Sequence, residues 1–365
     1  MRGQFRMNLS RASRFTLAAL LILPWSMRAG NDTLSSEVQA VFQRCAPAVV
    51  KIEAEDDSGP LSGTGFFIDP NGTIYTNYSV GGESHDIVIS YGAERYPAYR
   101  IAADARSGLA ILTIRQPAIH GGATLPADPA NGLSELKVEP QKTPFLPLGK
   151  ASDLGTASLV MTIGYPLDLP VTPNVGCVGG FGIYYGDNQY FAVSHIRANV
   201  PAQYGEAGAP LLNMDGEVVG ILESSVAGGA GCFVLPIEAA EKVHSDVVRF
   251  GEVRPGWLGI RFDKSDAANS AIEVQGFVDG SPAETSGVKP GDIIQQVGDR
   301  KVSTLEDVLN AAFYMTAGEA VPLTISRDGQ TMVVPVVPGM NPLVEQPVAP
   351  GPVIGFSLRI NGGGK

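Results

Sequence analysis

Apolar residues occur along most of the chain in short runs separated by turn residues, a pattern typical of β-rich proteins. Between residues 63 and 114 the runs include GFFIDPNGTIYTN, DIVISYG and LAILTI, and the DPNG within the first predicts a hairpin turn. A second set of strands is predicted between residues 145 and 237. Residues 117 to 142 lack periodicity and are rich in Pro, Gly and Ala, which indicates a connector. Two strand-rich halves of similar size predict two packed β-barrels.

Helical spacing of apolar residues appears in two places, at residues 34–45 and at residues 304–315. The second of these helices precedes a predicted hairpin with the sequence LTISRDGQTMVV, so the C-terminal part has the pattern of a smaller α/β module. The last part of the chain is proline-rich, although its VIGFSLRI run can add an edge strand. We place an N-terminal helix segment at 30–46, a double β-barrel at 47–245, a linker at 246–256, the α/β module at 257–337 and a Pro/Gly-rich tail at 338–365.

The first 29 residues have the pattern of a secretory signal peptide. Four arginines precede an apolar run from Phe15 to Trp25, and small residues surround a possible cleavage site after Ala29. The apolar run is short for a membrane span. We therefore expect an exported protein, periplasmic or secreted; an uncleaved N-terminal anchor is the alternative.

Composition and charge limit which partners, disulfides and metal sites can be expected. The 365-residue chain has a net charge of −11 and no long basic run, which argues against nucleic acid as a partner. Its three cysteines are Cys45, Cys177 and Cys232, an odd number for an exported protein. Either Cys177 pairs with Cys232 or all three are buried and unpaired. No cysteine spacing typical of zinc sites occurs, and we predict neither a metal nor a cofactor.

Five stretches of the chain, in this order, resemble the HtrA/Deg family of trypsin-like serine proteases: VFQRCAPAVVKIEA, GTGFFIDPNGTIYTN, LPLGKASDLG, VMTIGYPLDLPVTPNVGCVGG and GAPLLNMDGEVVGIL. The module that begins at Trp257 resembles the PDZ domain that follows the protease domain in this family. The resemblance implies a mainly β fold, a chymotrypsin/trypsin-like double β-barrel followed by a PDZ domain. It also implies a Ser-His-Asp triad in the cleft between the barrels.

None of the three triad positions implied by the resemblance carries its catalytic residue. The family motif T-N-x-H-V aligns with TNYSV, which places Ser79 where the histidine is expected. The motif D-x-x-x-D-L-A aligns with DARSGLA and places Gly108 at the aspartate position, and G-x-S-G-[GA]-P-L aligns with GEAGAPL and places Ala207 at the nucleophile position. The backbone N–H groups of Gly205 and Ala207 take the oxyanion-hole positions. The chain is thus predicted to be catalytically degenerate.

The four histidines and Glu206 are the other ionisable residues that bear on catalysis. His85, His120, His195 and His244 are expected at the surface or at strand edges rather than as a catalytic base. Glu206 lies between the two predicted oxyanion-hole residues. Its carboxylate either opposes the negative charge that such a hole stabilises, or points away into solvent.

The same comparison with the family motifs indicates that the peptide-binding loop of the PDZ module is retained. The family motif Y-[LI]-G-[VI] aligns with the sequence WLGI, formed by Trp257, Leu258, Gly259 and Ile260. Such a loop captures a C-terminal carboxylate by backbone N–H groups, while the peptide adds a strand to a sheet edge. The helix at 304–315 is expected to form the other wall of the groove.

These predictions favour an exported pseudoprotease that binds peptides or unfolded proteins through C-terminal carboxylates, as a chaperone-like, scaffold or regulatory protein. One alternative is a serine endopeptidase with a rearranged active site, and another is a structural subunit of an envelope assembly. The family resemblance implies a homo-oligomer, often a trimer, or a hetero-oligomer with an active relative.

Overall fold

The structure is a computed structural model that describes residues 29–115, 142–183, 193–226, 228–262 and 272–340. The predicted signal peptide up to residue 28, nearly all of the predicted connector, His120 and the VIGFSLRI run lie outside the described residues. The N-terminal segment is helix α1, Ala29–Cys45, followed by a 3-10 turn at Ala46–Ala48. Within the described ranges, no helix is long and apolar enough to cross a membrane.

The first strand-rich half forms one antiparallel sheet of seven strands in the order β5-β4-β1-β2-β3-β7-β6. The DPNG turn joins β2 to β3 as predicted, and Ile68 N donates to Thr73 O at 3.0 Å across it. The elements are β1 Val49–Asp56, β2 Gly59–Phe67, β3 Thr73–Asn77, helix α2 Tyr78–Gly81, β4 His85–Tyr91, β5 Glu94–Pro97, β6 Tyr99–Asp104 and β7 Leu109–Thr113.

This sheet wraps around because its two end strands are consecutive in the chain. Only Ala98 separates β5 from β6. In a flat sheet of this order the two end strands would lie about 29 Å apart, since neighbouring strands are spaced by about 4.8 Å. One connecting residue spans only about 7 Å, so the sheet must curl until its ends are adjacent. The chain itself therefore brings the two edges of the first sheet together, in the manner of a barrel.

The second half is a closed six-stranded barrel in the order β10-β13-β12-β11-β8-β9. Its strands are β8 Leu159–Gly164, β9 Thr172–Ile183, β10 Ser194–Ala198, β11 Pro210–Leu212, β12 Val218–Ser225 and β13 Cys232–Pro236, and helix α3, Ile237–Phe250, follows them. Helix α3 ends at Gly251, which has the left-handed conformation at φ 77°. The linker predicted from residue 246 thus begins inside this helix, because Asp246 and Arg249 continue its turns.

All three cysteines are unpaired. Cys177 lies on β9 and Cys232 on β13, and β10 runs between these strands. Two strand spacings separate them by about 10 Å, whereas a disulfide needs Cα atoms within about 7 Å. The alternative of a Cys177–Cys232 disulfide is therefore wrong, and burial raises the pKa of the Cys232 thiol to about 12.

The C-terminal module contains a two-stranded and a four-stranded sheet, the latter in the order β17-β16-β18-β19. Thr304 begins helix α5 with a capping box in which it and Asp307 exchange side-chain to backbone hydrogen bonds. The elements are β14 Ile260–Arg261, β15 Gly276–Phe277, α4 Pro282–Thr285, β16 Ile293–Val297, β17 Arg300–Lys301, α5 Leu305–Phe313, β18 Val321–Arg327 and β19 Gln330–Val336. The predicted helix and hairpin are both confirmed.

Hydrogen bonds to the second barrel and to α3 fix the module in place. Asp246 on α3 accepts hydrogen bonds from Thr316 Oγ1 and from Arg254 N, each at 2.9 Å. Ser194 N, at the start of β10, donates to Asn310 Oδ1 on α5 at 2.9 Å. Helix α5 is thus held from both of its faces, by its own sheet and by the barrel.

Candidate functional site

The turn that carries Ala207 is pressed between the two barrels. Gly205 and Gly208 have left-handed φ angles of 89° and 87°. A Cβ atom at Gly208 would overlap the carbonyl oxygen of Thr64 and the hydroxyl of Thr76 in the first barrel. Thr64 N donates to Ala207 O at 2.9 Å. The glycines are therefore required by both the conformation and the close contact.

Two amide groups of this turn are left available. Glu206 N donates to Gln203 O at 3.1 Å and Gly208 N donates to Leu222 O at 2.8 Å. The N–H groups of Gly205 and Ala207, the predicted oxyanion-hole donors, have no acceptor among the described residues. The two predicted donors are thus unpaired among the described residues, and Ala207 carries no nucleophilic atom.

The other two predicted triad positions lie beside the same turn. Ser79 is half-buried at the start of α2, and its N–H donates to Asn77 Oδ1 at 2.7 Å. Tyr78 N donates to Gly108 O at 2.6 Å, which ties the loop before β7 to α2. A Cβ atom at Gly208 would lie 2.8 Å from Asn77 N. The structure therefore brings all three positions together at the junction of the barrels.

The space in front of Gly108 is filled by a carboxylate from the second barrel. A Cβ atom at position 108 would overlap Glu223 Oε1 and would lie 3.0 Å from Glu223 Cδ. Gly108 also has a left-handed φ of 72°. An aspartate at this position would bring a second carboxylate against the first one, in a strained conformation. Glu223, on β12, thus occupies the place of the missing side chain.

Glu223 is paired with His195, a residue that sequence reasoning placed at the surface or at a strand edge. His195 Nε2 lies 2.5 Å from Glu223 Oε2, and the two side chains are only 11% and 16% exposed. Burial opposes protonation of the imidazole, but the Glu223 carboxylate outweighs it and raises the pKa of His195. Nδ1 of His195 is buried and has no hydrogen-bond partner among the described residues. Among the described residues, no hydroxyl or thiol group is hydrogen-bonded to this imidazole.

The remaining described histidines lie elsewhere. His85 is exposed and contacts Asp86 at 3.2 Å. His244, on α3, lies with Nδ1 2.7 Å from the hydroxyl of Tyr75, and burial lowers its pKa. Neither histidine contacts Ser79 or Ala207.

Glu206 does not point into solvent, which corrects one of the two expectations for it. The residue is completely buried and accepts hydrogen bonds from Asn174 Nδ2 at 2.7 Å and from Gln203 N at 2.8 Å. Burial raises the pKa of its carboxyl group against the effect of these two donors. Its charge also contributes to the raised pKa of Cys232 in the core of the second barrel. The side chain is therefore turned into the barrel, and its two donors hold it there.

Within the described part of the chain, the PDZ loop has unpaired backbone N–H groups at the position predicted to bind a carboxylate. Gly259 has a φ of 71°, and a Cβ atom there would overlap Ser281 and lie 2.9 Å from the ring of Trp257. Ala283 N donates to Leu258 O at 3.1 Å and Val278 N to Gly259 O at 2.8 Å, which fixes the loop from behind. The N–H groups of Leu258 and Gly259 have no acceptor among the described residues.

A cavity of about 170 Å³ lies in front of this loop. Residues from Trp257 to Ile260 and Phe262 form one wall, and α5 contributes Val308, Leu309 and Ala312 to the other. The loop, β14 and α5 thus enclose one largely apolar groove with free amide donors in its wall. All four predicted peptide-binding residues lie in it.

Comparisons with known proteins agree with this architecture. A family model described as a trypsin-like peptidase domain matches residues 63–221, and a PDZ domain model matches residues 256–336. A probable periplasmic serine endoprotease DegP-like of Chlamydia pneumoniae is 27% identical over 299 residues, which cover 77% of this chain and 56% of that protein. A putative serine protease HhoB of Synechocystis is 25% identical over 364 residues, which cover 90% of this chain and 85% of that protein.

The fold also matches solved structures. The HtrA-type protease AlgW with tripeptide superimposes with a TM-score of 0.64 at 21% identity, covering 84% of this chain and 97% of that one. The serine endoprotease from Yersinia pestis superimposes with a TM-score of 0.55 at 22% identity, covering 83% and 98%. The chain spans little more than half the length of the DegP-like relatives, 56% for the Chlamydia pneumoniae protein. The chain therefore consists of a trypsin-like peptidase domain followed by a PDZ domain, which is the architecture of an HtrA-type protease.

Proposed function

We propose that this chain is an exported pseudoprotease that binds peptides through its PDZ domain. The observation that carries the proposal is the contrast between two sites. Leu258 and Gly259 line a groove and their N–H groups have no acceptor among the described residues, whereas Ala207 has no nucleophilic atom. The names of the relatives support a periplasmic location. A holdase, a scaffold and a regulatory partner of an active relative, as a trimer or a mixed oligomer, are the forms this role can take.

Hydrolysis by the trypsin-like mechanism needs a nucleophile, a base and an orienting carboxylate. Ala207 offers a methyl group, and the hydroxyl of Ser79 cannot accept a proton near neutral pH. The carboxylate nearest to position 108 belongs to Glu223 and is hydrogen-bonded to His195. Loss of the nucleophile or the base alone lowers turnover by about 10⁶ in a serine protease. The free N–H groups of Gly205 and Ala207 stabilise an oxyanion only if one forms.

A rearranged endopeptidase site at His195 and Glu223 is not favoured. The pair has the composition of a base and its orienting carboxylate, but Nδ1 of His195 contacts no nucleophile among the described residues. A buried pair without a nucleophile is better explained as packing that fills the vacated cleft. We therefore assign it a structural role.

Peptide binding follows from the geometry of the groove. Among the described residues strand β14 pairs only with β15, and its residue Ile260 lines the cavity. An extended peptide adds a strand to such an edge, and its terminal carboxylate accepts hydrogen bonds from the loop. The apolar side chains of Val308 and Ala312 then surround its last side chain.

Fluorescence anisotropy with labelled peptides tests this proposal. A panel of heptapeptides that differ in the last residue, each with a free or an amidated C-terminus, is titrated with the full chain. We expect saturable binding of free-carboxylate peptides that end in an apolar residue, and binding of the amides weaker by about ten-fold or more, the cost of a charge-assisted hydrogen bond. Equal binding of acids and amides, or no binding, contradicts the proposal.

A further inference from the structure

The groove of the PDZ domain is not formed by that domain alone. Asp104, at the end of β6, and Arg106, in the loop after it, line the same cavity as Trp257 to Ile260. Lys242 and Val243, on α3, line it as well. The trypsin-like domain therefore provides part of the wall, including two cations and one carboxylate.

Lys242 is a buried cation whose ammonium group has a hydrogen-bond donor to spare. Its side chain is 10% exposed, and Nζ donates to Asp246 Oδ2 and, at 3.4 Å, to Arg254 O. An ammonium group has three N–H donors, so one of them has no acceptor among the described residues. Burial lowers the pKa of Lys242 against the attraction of Asp246. A second anion in the cavity would stabilise the charged form.

The position of Lys242 is fixed by the contacts that join the domains. Asp246, one helical turn further along α3, is 1% exposed and accepts hydrogen bonds from Thr316 Oγ1 and Arg254 N as well as from Lys242. Arg254 belongs to the segment before the PDZ loop, and Thr316 belongs to the segment that follows α5. The ammonium group is therefore held at the groove by the same carboxylate that docks the PDZ domain.

Asp104 adds an acceptor that lacks a donor. Its side chain is 6% exposed, Oδ1 accepts from Arg106 Nε at 2.7 Å, and the buried Oδ2 has no partner among the described residues. A buried oxygen in this state favours a ligand that brings an N–H group. Inorganic anions bring none, whereas the last residue of a peptide carries both an amide N–H and a carboxylate. The cluster Asp104, Arg106 and Lys242 therefore fits a peptide terminus better than a simple anion.

We propose that Lys242 of the trypsin-like domain is a specificity-determining residue of the peptide site, and that it binds the C-terminal carboxylate together with the N–H groups of Leu258 and Gly259. This inference rests on the proposed function, since it names the second half of the same groove. The trypsin-like domain then contributes to peptide binding even without a triad, because its side chains complete the peptide site. The ligand is a peptide with a free carboxylate and an apolar last residue.

The test uses the full chain, the heptapeptide panel and the substitution Lys242→Met, which keeps the length and packing of the side chain but removes its charge. The matched control is Lys301→Met, at an exposed position of β17 outside the groove. We expect Lys242→Met to raise the Kd of free-carboxylate peptides by about ten-fold or more, because a charge-assisted hydrogen bond is lost. The Kd of the amides and the binding by Lys301→Met should stay unchanged.

Because Lys242→Met leaves Asp246 without its cation, folding is checked by thermal unfolding. If this variant unfolds, the double variant Lys242→Met, Asp246→Asn replaces it. Lys242→Arg, which keeps the charge, should bind free-carboxylate peptides more tightly than Lys242→Met does. Unchanged binding of free-carboxylate peptides by a folded Lys242→Met chain overturns the inference and leaves the proposed function standing. Failure of the unsubstituted chain to distinguish acids from amides overturns the proposed function itself.

Discussion

The turn at Ala207 and the loop at Gly259 are both held by left-handed glycines, but they differ in where their chemistry resides. In the function proposed above, the chemistry at Ala207 belongs to side chains from three separate elements, and Ser79, Gly108 and Ala207 stand at their positions. At Gly259 the chemistry belongs to the backbone N–H groups of the loop itself. A site built from side chains can vanish while its frame persists, whereas a site built from the backbone lasts as long as the fold does.

The two regions also differ in what surrounds them. The cleft beside Ala207 is filled by Glu223 and His195, whose side chains are largely buried. The groove beside Gly259 remains open, with a cavity of about 170 Å³. The cleft beside Ala207 is thus packed with side chains, whereas the groove beside Gly259 has room for a ligand.

The largest effect is expected from rebuilding the triad. The triple variant Ser79→His, Gly108→Asp, Ala207→Ser should stay at background, because Glu223 overlaps the new aspartate. Adding Glu223→Ser removes this overlap and should raise the rate of labelling by a fluorophosphonate about 10²-fold or more, since the triad residues act as a unit. Labelling of the triple variant as fast as the quadruple one would show that Glu223 does not block position 108.

The next effect concerns the pair that fills the cleft. Breaking a buried ion pair costs about 3–5 kcal/mol, so Glu223→Gln should lower the free energy of unfolding by about this amount at pH 6. The exposed pair of His85 and Asp86 supplies the control, since His85→Gln should change stability by less than about 0.5 kcal/mol.

The pH dependence of this loss has a definite sign. The pKa of His195 is raised in the folded state above its ordinary value of 6.5. The contribution of the charged pair is then fully present below pH 6.5 and is lost as the pH rises through the raised pKa. Chemical denaturation of both chains at several pH values measures it. A loss that grows between pH 6 and pH 9 would contradict the assignment.

A smaller effect is expected from a substitution at Gly208, in the turn that carries Ala207. Gly208→Ala places a Cβ atom against backbone and hydroxyl atoms of the first barrel, in a strained conformation. We expect a loss of about 3 kcal/mol in the free energy of unfolding. Gly291→Ala is matched in φ, at 89°, but meets nothing within 4 Å, so it should cost only about 1 kcal/mol. Equal losses in the two variants would mean that the barrels do not press on the turn.

The smallest effect is expected at the PDZ loop. Gly259→Ala displaces the loop from Ser281 and Trp257, and should raise the Kd of free-carboxylate peptides about ten-fold with little change in fold. Gly298→Ala, at φ 62° with its nearest contact at 3.7 Å, should leave binding unchanged. Peptide titrations of both variants decide this, and a Gly259→Ala chain that binds normally would remove the loop from the site.

Local patterns in the sequence were sufficient to predict the fold and to locate the turn at Ala207 and the loop at Gly259. The turn signals, the strand alternation and the capping residue Thr304 act over a few residues, so hairpins and helices could be predicted from them. The motif comparisons placed Ser79, Gly108 and Ala207, and the structure brings these positions together.

Long-range packing was beyond the same reasoning. His195 and Glu223 meet because β13 pairs with both β10 and β12, and this register depends on the whole barrel. A glutamate within the apolar run of β12 was the only local signal for this pair. Glu206 was difficult for the same reason, because its donor Asn174 comes from another strand. Lys242 reaches the groove only through the docking of the two domains.

The proposed function requires that this HtrA-like chain binds peptides without cleaving them. The most direct test is mass spectrometry of casein after prolonged incubation with the full chain, purified to homogeneity. We predict intact casein, identical to a sample without the protein, because positions 79, 108 and 207 lack a base, an aspartate and a nucleophile. Casein fragments whose formation is stopped by a serine-protease inhibitor would contradict the account.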